Sequence, residues 1–585
     1  MKTMKIDFSQ ELSDDQKQVL LQALRAWRDK ELYVSNVEGS EDNPPSKYTD
    51  TAKIKRDQTY YFTDSTGKLI SFSLSNSIVS VNDEKKQQQR YFVLAAKKWL
   101  GEGGEAKVKD VPWEIVPPRE NGQPLELQSV DLVLKRRSEL QSDASIWLGL
   151  FQEQEYGALS ELLQEGETVA KTSRRRVFSV KLQDDYDKFY LFEPKARGKE
   201  LAELLGVEGH RPRKLNLLER TQIATQLFAQ IDQLRDKSLV HRDIKPENIM
   251  VNIDELGVQV KIIDFSGATN SGAETSLDIG TPFYTLNRAP GLVPQLDWDI
   301  FALAITCMEV FGADKLSGFI SAYNAYNDGN QGSRQLNVEL QQLVNQLPAL
   351  NGKHQSSSVQ HEITAVKMAM QAVLRESTAW PRDQGAVTRA YEDMKKAFAT
   401  LQDKLIVRNL TGLKTHIELL KQELTKTRKT SNTSNQCIPS SSTDDHKDIL
   451  LEDLNGIFTH IENAIGIQDQ AQRSDQYNQI CRELLKITIK NTLTFGEALL
   501  YRIKNFFTFV PERLQALRLY DTTKSIQAAL KKHGATVHYV AKVPDLQKVL
   551  APVATSSGAV AGAAPSPSPS SAPAPVPVGP TAPHK

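Results

Sequence analysis

The chain contains few cysteines and no long apolar run. Its three cysteines, Cys307, Cys437 and Cys481, are too few for a disulfide framework and show no metal-ligand spacing, so we expect a reducing compartment. No stretch approaches the roughly 18 consecutive apolar residues that a membrane-spanning helix needs. Residues 1–15 lack the apolar core of a secretory signal. We therefore predict no transmembrane segment and a cytoplasmic location.

An excess of one charge is also missing. Lys plus Arg and Asp plus Glu number 72 each, whereas general nucleic-acid and membrane-surface binders carry a positive excess. We therefore predict no nucleic-acid partner. Hydrophobic residues at 39% and charged residues at 25% are ordinary for a folded protein. The length of 585 residues predicts about three to four domain-sized pieces.

The periodicity of apolar residues changes along the chain. Residues 12–33 predict an amphipathic helix, and aromatic and β-branched runs around Asp64–Gly67 predict a strand hairpin. Strand-like stretches continue to about residue 193, after which helical spacing prevails, as in residues 217–236. Strands followed by helices predict an α+β domain in two lobes.

The C-terminal third changes in composition twice. Residues 427–447 are polar and predict a linker or long loop, and residues 448–550 contain several helical segments. Their apolar faces are more typical of a core than of an interface, although a partner surface stays open. From Ala551 the chain is rich in Pro, Ala and Ser, and its one charged side chain is Lys585. Such a segment cannot bury a core, so we predict a disordered tail.

Residues 241–251, HRDIKPENIMV, contain the groups that phosphoryl transfer requires. Asp243 offers a carboxylate to orient an attacking hydroxyl, Lys245 a cation near the transferred group, and Asn248 an oxygen ligand for Mg²⁺. A polar loop with a helix cap is the alternative. However, all five specified positions of H-R-D-x-K-x-x-N match. The segment resembles the catalytic loop of eukaryotic-type protein kinases, and its lysine resembles the serine/threonine branch.

The family pattern continues downstream at the expected spacing. Asp264 ends a β-branched run and is followed by Phe265-Ser266, where the family has Asp-Phe-Gly. The resemblance implies that Asn248 and Asp264 ligate Mg²⁺. It also implies that His241 and Phe265 have structural roles.

Residues 280–290 resemble the end of a kinase activation segment. The glutamate that closes this segment in the family is absent, because Gly291 follows Ala289-Pro290. The next helix should begin near Asp299, whose carboxylate the resemblance assigns to backbone amides of the catalytic loop. A simple helix cap is the alternative role for this aspartate.

The resemblance also implies a switch on the activation segment. In the family, an arginine at the position of Arg242 pairs with a phosphate on that segment, and Thr275 and Ser276, ahead of Thr281, are our candidates for phosphorylation. Nearby carboxylates at Glu274 and Asp278 are the alternative source of negative charge.

The nucleotide-binding half should contain a glycine-rich loop and a strand lysine. Residues 101–108 match G-x-G-x-x-G-x-V except that alanine replaces the third glycine. A glycine-rich surface hairpin is the alternative interpretation. The strand lysine is assigned to residue 135, and the long gap before it predicts an inserted loop. The residues assigned to nucleotide binding are Gly101, Gly103, Gly104, Val108 and Lys135.

The carboxylate that would orient Lys135 lies on the following helix. We prefer Glu155, because Leu159 then falls on the same helical face, where it can join Phe265 and His241 in an apolar column. Glu153 stays an alternative. Glu193 is assigned to the hinge that would bind adenine.

The resemblance covers residues 90–400 and implies a serine/threonine protein kinase that uses ATP and Mg²⁺ to phosphorylate proteins. A catalytically weak binding module of the same fold, or a kinase acting on a lipid or small molecule, are the alternatives. The hairpin that leads into the glycine-rich loop is similar to effector kinases that Legionella-like bacteria deliver into host cells, which implies action in host cytosol and a host-protein partner for the C-terminal helices. The predicted domains are an N-terminal extension at 1–89, a two-lobed kinase-like domain at 90–400 divided near 193, a helix and polar linker at 401–447, a helical region at 448–550 and a tail at 551–585.

Overall fold

The structure is a computed structural model, and the residues that it describes lie in several ranges of the chain. They are 3–35, 45–50, 52–83, 88–96, 100–102, 106–118, 125–140, 143–164, 167, 169–171, 175–179, 184–207, 211–254, 257–273, 280–285, 295–312, 322–324, 332–351, 357–379, 382–431 and 441–495. The predicted tail therefore lies outside the described residues.

The chain begins with a five-stranded sheet under one helix. The helix starts with a capping box in which the Ser13 hydroxyl and the Gln16 side chain each bond the other residue's backbone N–H. Its apolar stripe, including Leu24 and Trp27, is buried in the core beneath it. The elements are β1 (Met4–Ile6), α1 (Asp14–Arg28), β2 (Tyr33–Val34), β3 (Ser46–Lys47), β4 (Lys53–Ile54), β5 (Thr59–Thr63) and β6 (Leu69–Leu74), with sheet order β1-β6-β5-β2-β3 and β4 in the next sheet.

A second sheet follows and carries the predicted nucleotide half. Its strands run in the order β12-β14-β11-β10-β8-β7-β4, with β9 added to β10 and β13 to β14. The described strand pairs of this sheet are antiparallel. The elements are β7 (Ile78–Asp83), β8 (Gln88–Val93), β9 (Gly101–Glu102), β10 (Ala106–Val116), β11 (Glu126–Leu140), α2 (Asp143–Leu162), β12 (Ala170–Lys171), β13 (Arg175–Ser179) and β14 (Asp184–Pro194).

The expected inserted loop before Lys135 is wrong in extent. Most of the extra length extends the antiparallel pair β10 and β11. The pairing shifts register between Val111 and Trp113. Pro112 lies at this irregularity, where the absence of its N–H removes no ladder hydrogen bond. The proline therefore marks a bulge inside a strand.

The second half of the chain is mostly helical, which confirms the predicted order of strands and helices. Two short sheets, β15-β17-β18 and β16-β19, lie among the helices. The elements are β15 (Lys199–Glu200), α3 (Leu201–Leu205), α4 (Leu217–Asp236), β16 (Leu239–Val240), β17 (Ile249–Asp254), β18 (Gly257–Ile262), β19 (Thr269–Asn270), α5 (Leu296–Val310), α6 (Gly332–Gln346), α7 (Gln360–Thr378), α8 (Gln384–Ser431), α9 (Ser441–Gly466) and α10 (Gln470–Phe495).

The C-terminal helices share one core with the rest of this half. Helix α8 packs against α4 and α7, and α9 and α10 pack against α8. Buried residues such as Leu454, Ile461 and Ile480 belong to the same core as Phe228 and Phe301. The described helices include none that combines the length and apolarity needed to cross a membrane.

Candidate active site

Strand pairing brings the two predicted metal ligands together. A short 3-10 turn, Pro246–Asn248, leads into β17, which pairs with β18 through Ile249 and Ile262. One residue beyond that pair, the Ile263 N–H donates to the Asn248 carbonyl at 2.9 Å. Asp264 is therefore adjacent to the turn that carries Asn248.

The backbone of residues 241 and 242 is anchored by a buried carboxylate. The two oxygens of Asp299 accept hydrogen bonds from the N–H groups of His241 and Arg242, at 2.6 and 2.9 Å. Arg242 has φ 72°, a left-handed conformation that costs a non-glycine residue energy. Asp299 thus holds a strained turn immediately before Asp243.

His241 and Phe265 form an apolar contact beneath this turn. Their rings meet edge to face with centroids 4.8 Å apart, and the His241 Nε2 atom lies 3.1 Å from the Ile263 carbonyl oxygen. Leu159 is buried in the same core, and its helix α2 packs against the 3-10 turn that begins at Phe265. The structure therefore places the three residues of the expected column in one core.

Asp243 lies at the centre of a dense set of hydrogen bonds. Its Oδ1 accepts from the N–H and hydroxyl of Thr281 at 3.0 and 2.6 Å. Its Oδ2 accepts from the Asn248 amide and the Lys245 ammonium, both at 2.8 Å. Burial opposes ionisation of Asp243, but hydrogen bonds from Lys245 and Thr281 outweigh it and hold its pKa below the usual range. The carboxylate is therefore ionised at neutral pH.

Lys135, on strand β11, forms ion pairs with a carboxylate on helix α2 and with Asp264, which follows β18. Its ammonium lies 2.8 Å from Glu155 Oε1 and 2.6 Å from Asp264 Oδ1. Burial works against the charge on Lys135, but Glu155 and Asp264 outweigh it and raise the lysine pKa. The alternative carboxylate, Glu153, is exposed and instead forms an ion pair with Lys171.

Sequence reasoning missed Arg137, which lies in the same cluster. Its Nη1 is 2.7 Å from Glu155 Oε2 and its Nη2 is 3.6 Å from Asp264 Oδ1. Burial again opposes ionisation of Asp264, yet Lys135 foremost, then Arg137 and a hydrogen bond from Ser266, hold its pKa well below the usual range. The available signal was the spacing of two residues from Lys135, which puts both side chains on one face of β11.

The structure describes part of the glycine-rich segment and the strands beside it. Gly101 on β9 pairs with Val108 on β10, and Val108 pairs with Lys135 on β11. Side chains of directly opposed residues share a sheet face, so Val108 and Lys135 face the same way. Gly103 and Gly104 lie outside the described residues.

Glu193 lies on the same face of the sheet as Lys135. Lys135 pairs with Leu191 on β14, and Glu193 is two residues further along that strand. Burial and then the nearby Glu155 carboxylate raise the pKa of Glu193 to about 7. Its neighbour Lys195 donates its backbone N–H to the Asp131 carbonyl at 2.9 Å.

Of the residues assigned to the phosphorylation switch, the structure describes Arg242 and Thr281. Arg242 is buried, with 3% of its surface exposed, and its Nε donates to the Gly267 carbonyl. Thr275 and Ser276 lie outside the described residues. Thr281, at the end of the segment, also accepts a hydrogen bond from Lys245 at 2.6 Å.

The donor set suits Mg²⁺ that arrives with a nucleotide. Asp264 offers an ionised carboxylate, and the Asn248 amide nitrogen points to Asp243, which leaves the amide oxygen directed elsewhere. Mg²⁺ favours such oxygen ligands and is usually held by one or two of them together with phosphates.

Comparison with known proteins gives one family. The family model described as Protein kinase domain matches residues 151–500. The chain is 35% identical over 112 residues to Ribosomal protein S6 kinase alpha-4 of Homo sapiens, a match that covers 19% of this chain and 14% of that protein. It is 40% identical over 108 residues to MAP kinase kinase MKK1/SSP32 of Saccharomyces cerevisiae, covering 16% and 20%. It is 35% identical over 108 residues to cGMP-dependent protein kinase of Plasmodium berghei, covering 18% and 11%.

These matches cover little of the relatives' length, a fifth or less in each case. Lys135 and the glycine-rich segment precede the range of the family model. Strands β4 and β7 to β11 of the second sheet therefore lie outside the residues that the family model matches.

Proposed function

Because the chain belongs to the protein kinase domain family, we propose that it transfers the γ-phosphoryl group of Mg²⁺-ATP to serine or threonine hydroxyls of proteins. Kinase homologues support the general activity. The choice of serine and threonine, the nucleotide and the metal are parts of the proposal.

One observation carries the proposal. The hydroxyl of Thr281 lies between a carboxylate and an ammonium, 2.6 Å from Asp243 Oδ1 and 2.6 Å from Lys245 Nζ. The loop can therefore hold an aliphatic hydroxyl with an acceptor for its proton on one side and a positive charge on the other. A serine or threonine hydroxyl of a substrate needs the same two partners during phosphoryl transfer.

The residues of the catalytic loop take the following roles. Asp243, held ionised, orients the acceptor hydroxyl and takes its proton, and Lys245 offsets negative charge as the phosphoryl group moves. Asn248 and Asp264 would hold Mg²⁺. When bound, Mg²⁺-ATP supplies the phosphoryl group, and the metal neutralises part of its charge.

The second sheet, with the lobe that ends near residue 193, would hold the nucleotide. Lys135, oriented by Glu155 at 2.8 Å, would turn from Asp264 to the α- and β-phosphates. The backbone of the glycine-rich segment, residues 101–108, would cover these phosphates. Val108 and Glu193 lie on the Lys135 face of the sheet, where the adenine would bind.

A finer part of the proposal is that this kinase acts as a bacterial effector in host cytosol and binds a host protein. It is supported by the added N-terminal sheet and by the departures from the family pattern at Ser266 and Gly291. A reporter fusion that measures translocation from an intracellular bacterium would test it. Retention of the fusion inside the bacterium would contradict it.

The catalytic proposal is tested with Asp243→Asn. Because this change removes the proton acceptor but no proposed phosphate ligand, transfer of labelled phosphate to protein should fall by about three orders of magnitude or more while ATP binding is retained. Asp254→Asn, at the end of β17 (Ile249–Asp254), the strand that follows the catalytic loop, is the control and should retain activity.

Phosphoamino-acid analysis of the product then decides the acceptor. Phosphoserine or phosphothreonine supports the proposal. Phosphate on tyrosine, or on lipid alone, contradicts it, and wild-type nucleotide binding without any transfer indicates a binding module instead.

A further inference from the structure

Arg137 is a guanidinium buried beside the proposed nucleotide site. It follows Lys135 by two residues on β11 (Glu126–Leu140), so the two side chains leave the strand on the same face. Only 2% of the Arg137 surface is exposed. A charged group in such a position is retained at low cost only where opposite charge faces it.

Two carboxylates face this guanidinium. Arg137 Nη1 lies 2.7 Å from Glu155 Oε2, and Lys135 Nζ lies 2.8 Å from the other oxygen of the same carboxylate. Both cations also approach Asp264 Oδ1, Lys135 at 2.6 Å and Arg137 at 3.6 Å. Together these four side chains carry two positive and two negative charges, and Glu193 lies nearby with a raised pKa.

Nucleotide binding would change the contacts of Lys135 and Arg137 to different extents. Lys135 contacts Asp264 directly, and that contact must be exchanged when the lysine turns to phosphates and Asp264 turns to a metal. Arg137 holds the Glu155 oxygen that Lys135 does not contact. Its ion pair with Glu155 on the helix therefore requires no exchange.

We propose that Arg137 is a positioning residue that keeps Glu155, and with it helix α2 (Asp143–Leu162), docked on β11 while Lys135 changes partners. This inference rests on the proposed function, because it assigns Lys135 to nucleotide phosphates. It differs from a purely structural role in one respect: Arg137 matters most when nucleotide is bound.

Arg137→Met tests this role in the full chain. Binding of Mg²⁺ with a non-hydrolysable ATP analogue, measured by calorimetry, should weaken by about 10- to 100-fold, the range found when a group that orients a metal-binding side chain is removed. The matched control is Arg90→Met. Arg90 is also buried in the second sheet, where it is paired with Glu114 at 2.6 Å, and its loss should leave nucleotide affinity unchanged.

Hydrogen exchange of helix α2 separates positioning from simple stabilisation. In the wild type, the analogue should leave exchange of α2 amides unchanged or slower. In Arg137→Met the analogue should accelerate it, because the one remaining cation is then drawn to phosphate. Arg137→Lys, which retains the charge, should recover most of the affinity. If Arg137→Met does not fold, Arg137→Gln replaces it with the same expectations.

These readouts do not depend on turnover. Wild-type binding of the analogue without phosphoryl transfer would overturn the proposed function and leave this inference standing. Equal affinity and equal α2 exchange in Arg137→Met and wild type would overturn the inference. The same holds if α2 exchange accelerates equally with and without the analogue, since that describes a structural role.

Discussion

Replacing Asp299 with asparagine tests how the fold shapes the catalytic loop. The change conserves size but removes the charge and converts one of the two acceptor oxygens into a donor. That donor would face the N–H of either His241 or Arg242, which now bond the carboxylate at 2.6 and 2.9 Å. One buried amide is then left facing another donor.

The expected loss follows from these two bonds. A hydrogen bond to a charged group contributes about 1.5–3 kcal/mol. Losing one of the two and weakening the other should therefore remove roughly 2–3 kcal/mol. That energy holds Arg242 at φ 72°, so the turn before Asp243 should relax. The population of the active loop, and with it kcat/KM, should fall by up to about 30- to 140-fold.

Asp297→Asn is the matched control for this change. Asp297 is buried two residues earlier on the same helix, and its Oδ2 accepts from Arg382 at 2.8 Å, away from the loop. Both variants should therefore lower the melting temperature. Only Asp299→Asn should also lower kcat/KM measured per folded molecule at a temperature where both chains are native. Equal kcat/KM in the two variants would refute the reasoning, because the Asp299 bonds would then serve stability alone.

Three further predictions follow from other parts of the chain. Gly198→Ala should destabilise the fold by about 1–3 kcal/mol or more and lower the melting temperature. Gly198 has φ +99°, and an added Cβ would lie 2.1 Å from the Val251 carbonyl oxygen. An unchanged melting temperature would contradict this. Burial and nearby carboxylates raise the pKa of Glu193 in the folded chain to about 7, above its ordinary value of about 4.3. Folding therefore binds a proton, and the wild type loses stability as pH rises through that window. The melting-temperature advantage of Glu193→Gln should therefore grow from about pH 5 to about pH 8, and an equal advantage at both contradicts it. For the switch, loss of activity in Thr275→Ala, Ser276→Ala protein, checked by phosphosite mapping, supports phosphorylation, whereas full activity favours built-in acidic charge.

Much of the catalytic half could be predicted because its chemistry is local in sequence. His241 to Asn248 span one loop, and a loop that short leaves little freedom in where Asp243, Lys245 and Asn248 can lie. The resemblance to eukaryotic-type protein kinases, drawn from that loop, is confirmed by the family match over residues 151–500. The predicted order, strands first and helices afterwards, is also confirmed. It could be predicted because the change from a period of two to helical spacing is visible residue by residue.

Other features depend on contacts between distant segments and left no such local trace. Glu153 and Glu155 are both on helix α2, and the sequence does not settle how that helix is rotated against the sheet. In the structure, Glu155 contacts Lys135 and Glu153 is exposed. The long pairing of β10 with β11 is not predicted because Pro112, Pro117, Pro118 and Asn121-Gly122 indicate a loop there. A bulge tolerates the proline inside the strand.

Arg137 shows how far strand alternation alone could have gone. In VDLVLKRR, Lys135 and Arg137 occupy positions i and i+2, while Arg136 falls between them on the opposite face. Once Lys135 is assigned to a closed site, alternation places Arg137 in the same site, and a buried guanidinium requires carboxylates. The family resemblance supplies two, Glu155 and Asp264. Net charge could therefore have predicted the cluster. One lysine beside two carboxylates leaves a net negative charge next to the buried Glu155, and Arg137 is a cation on the same face that offsets it.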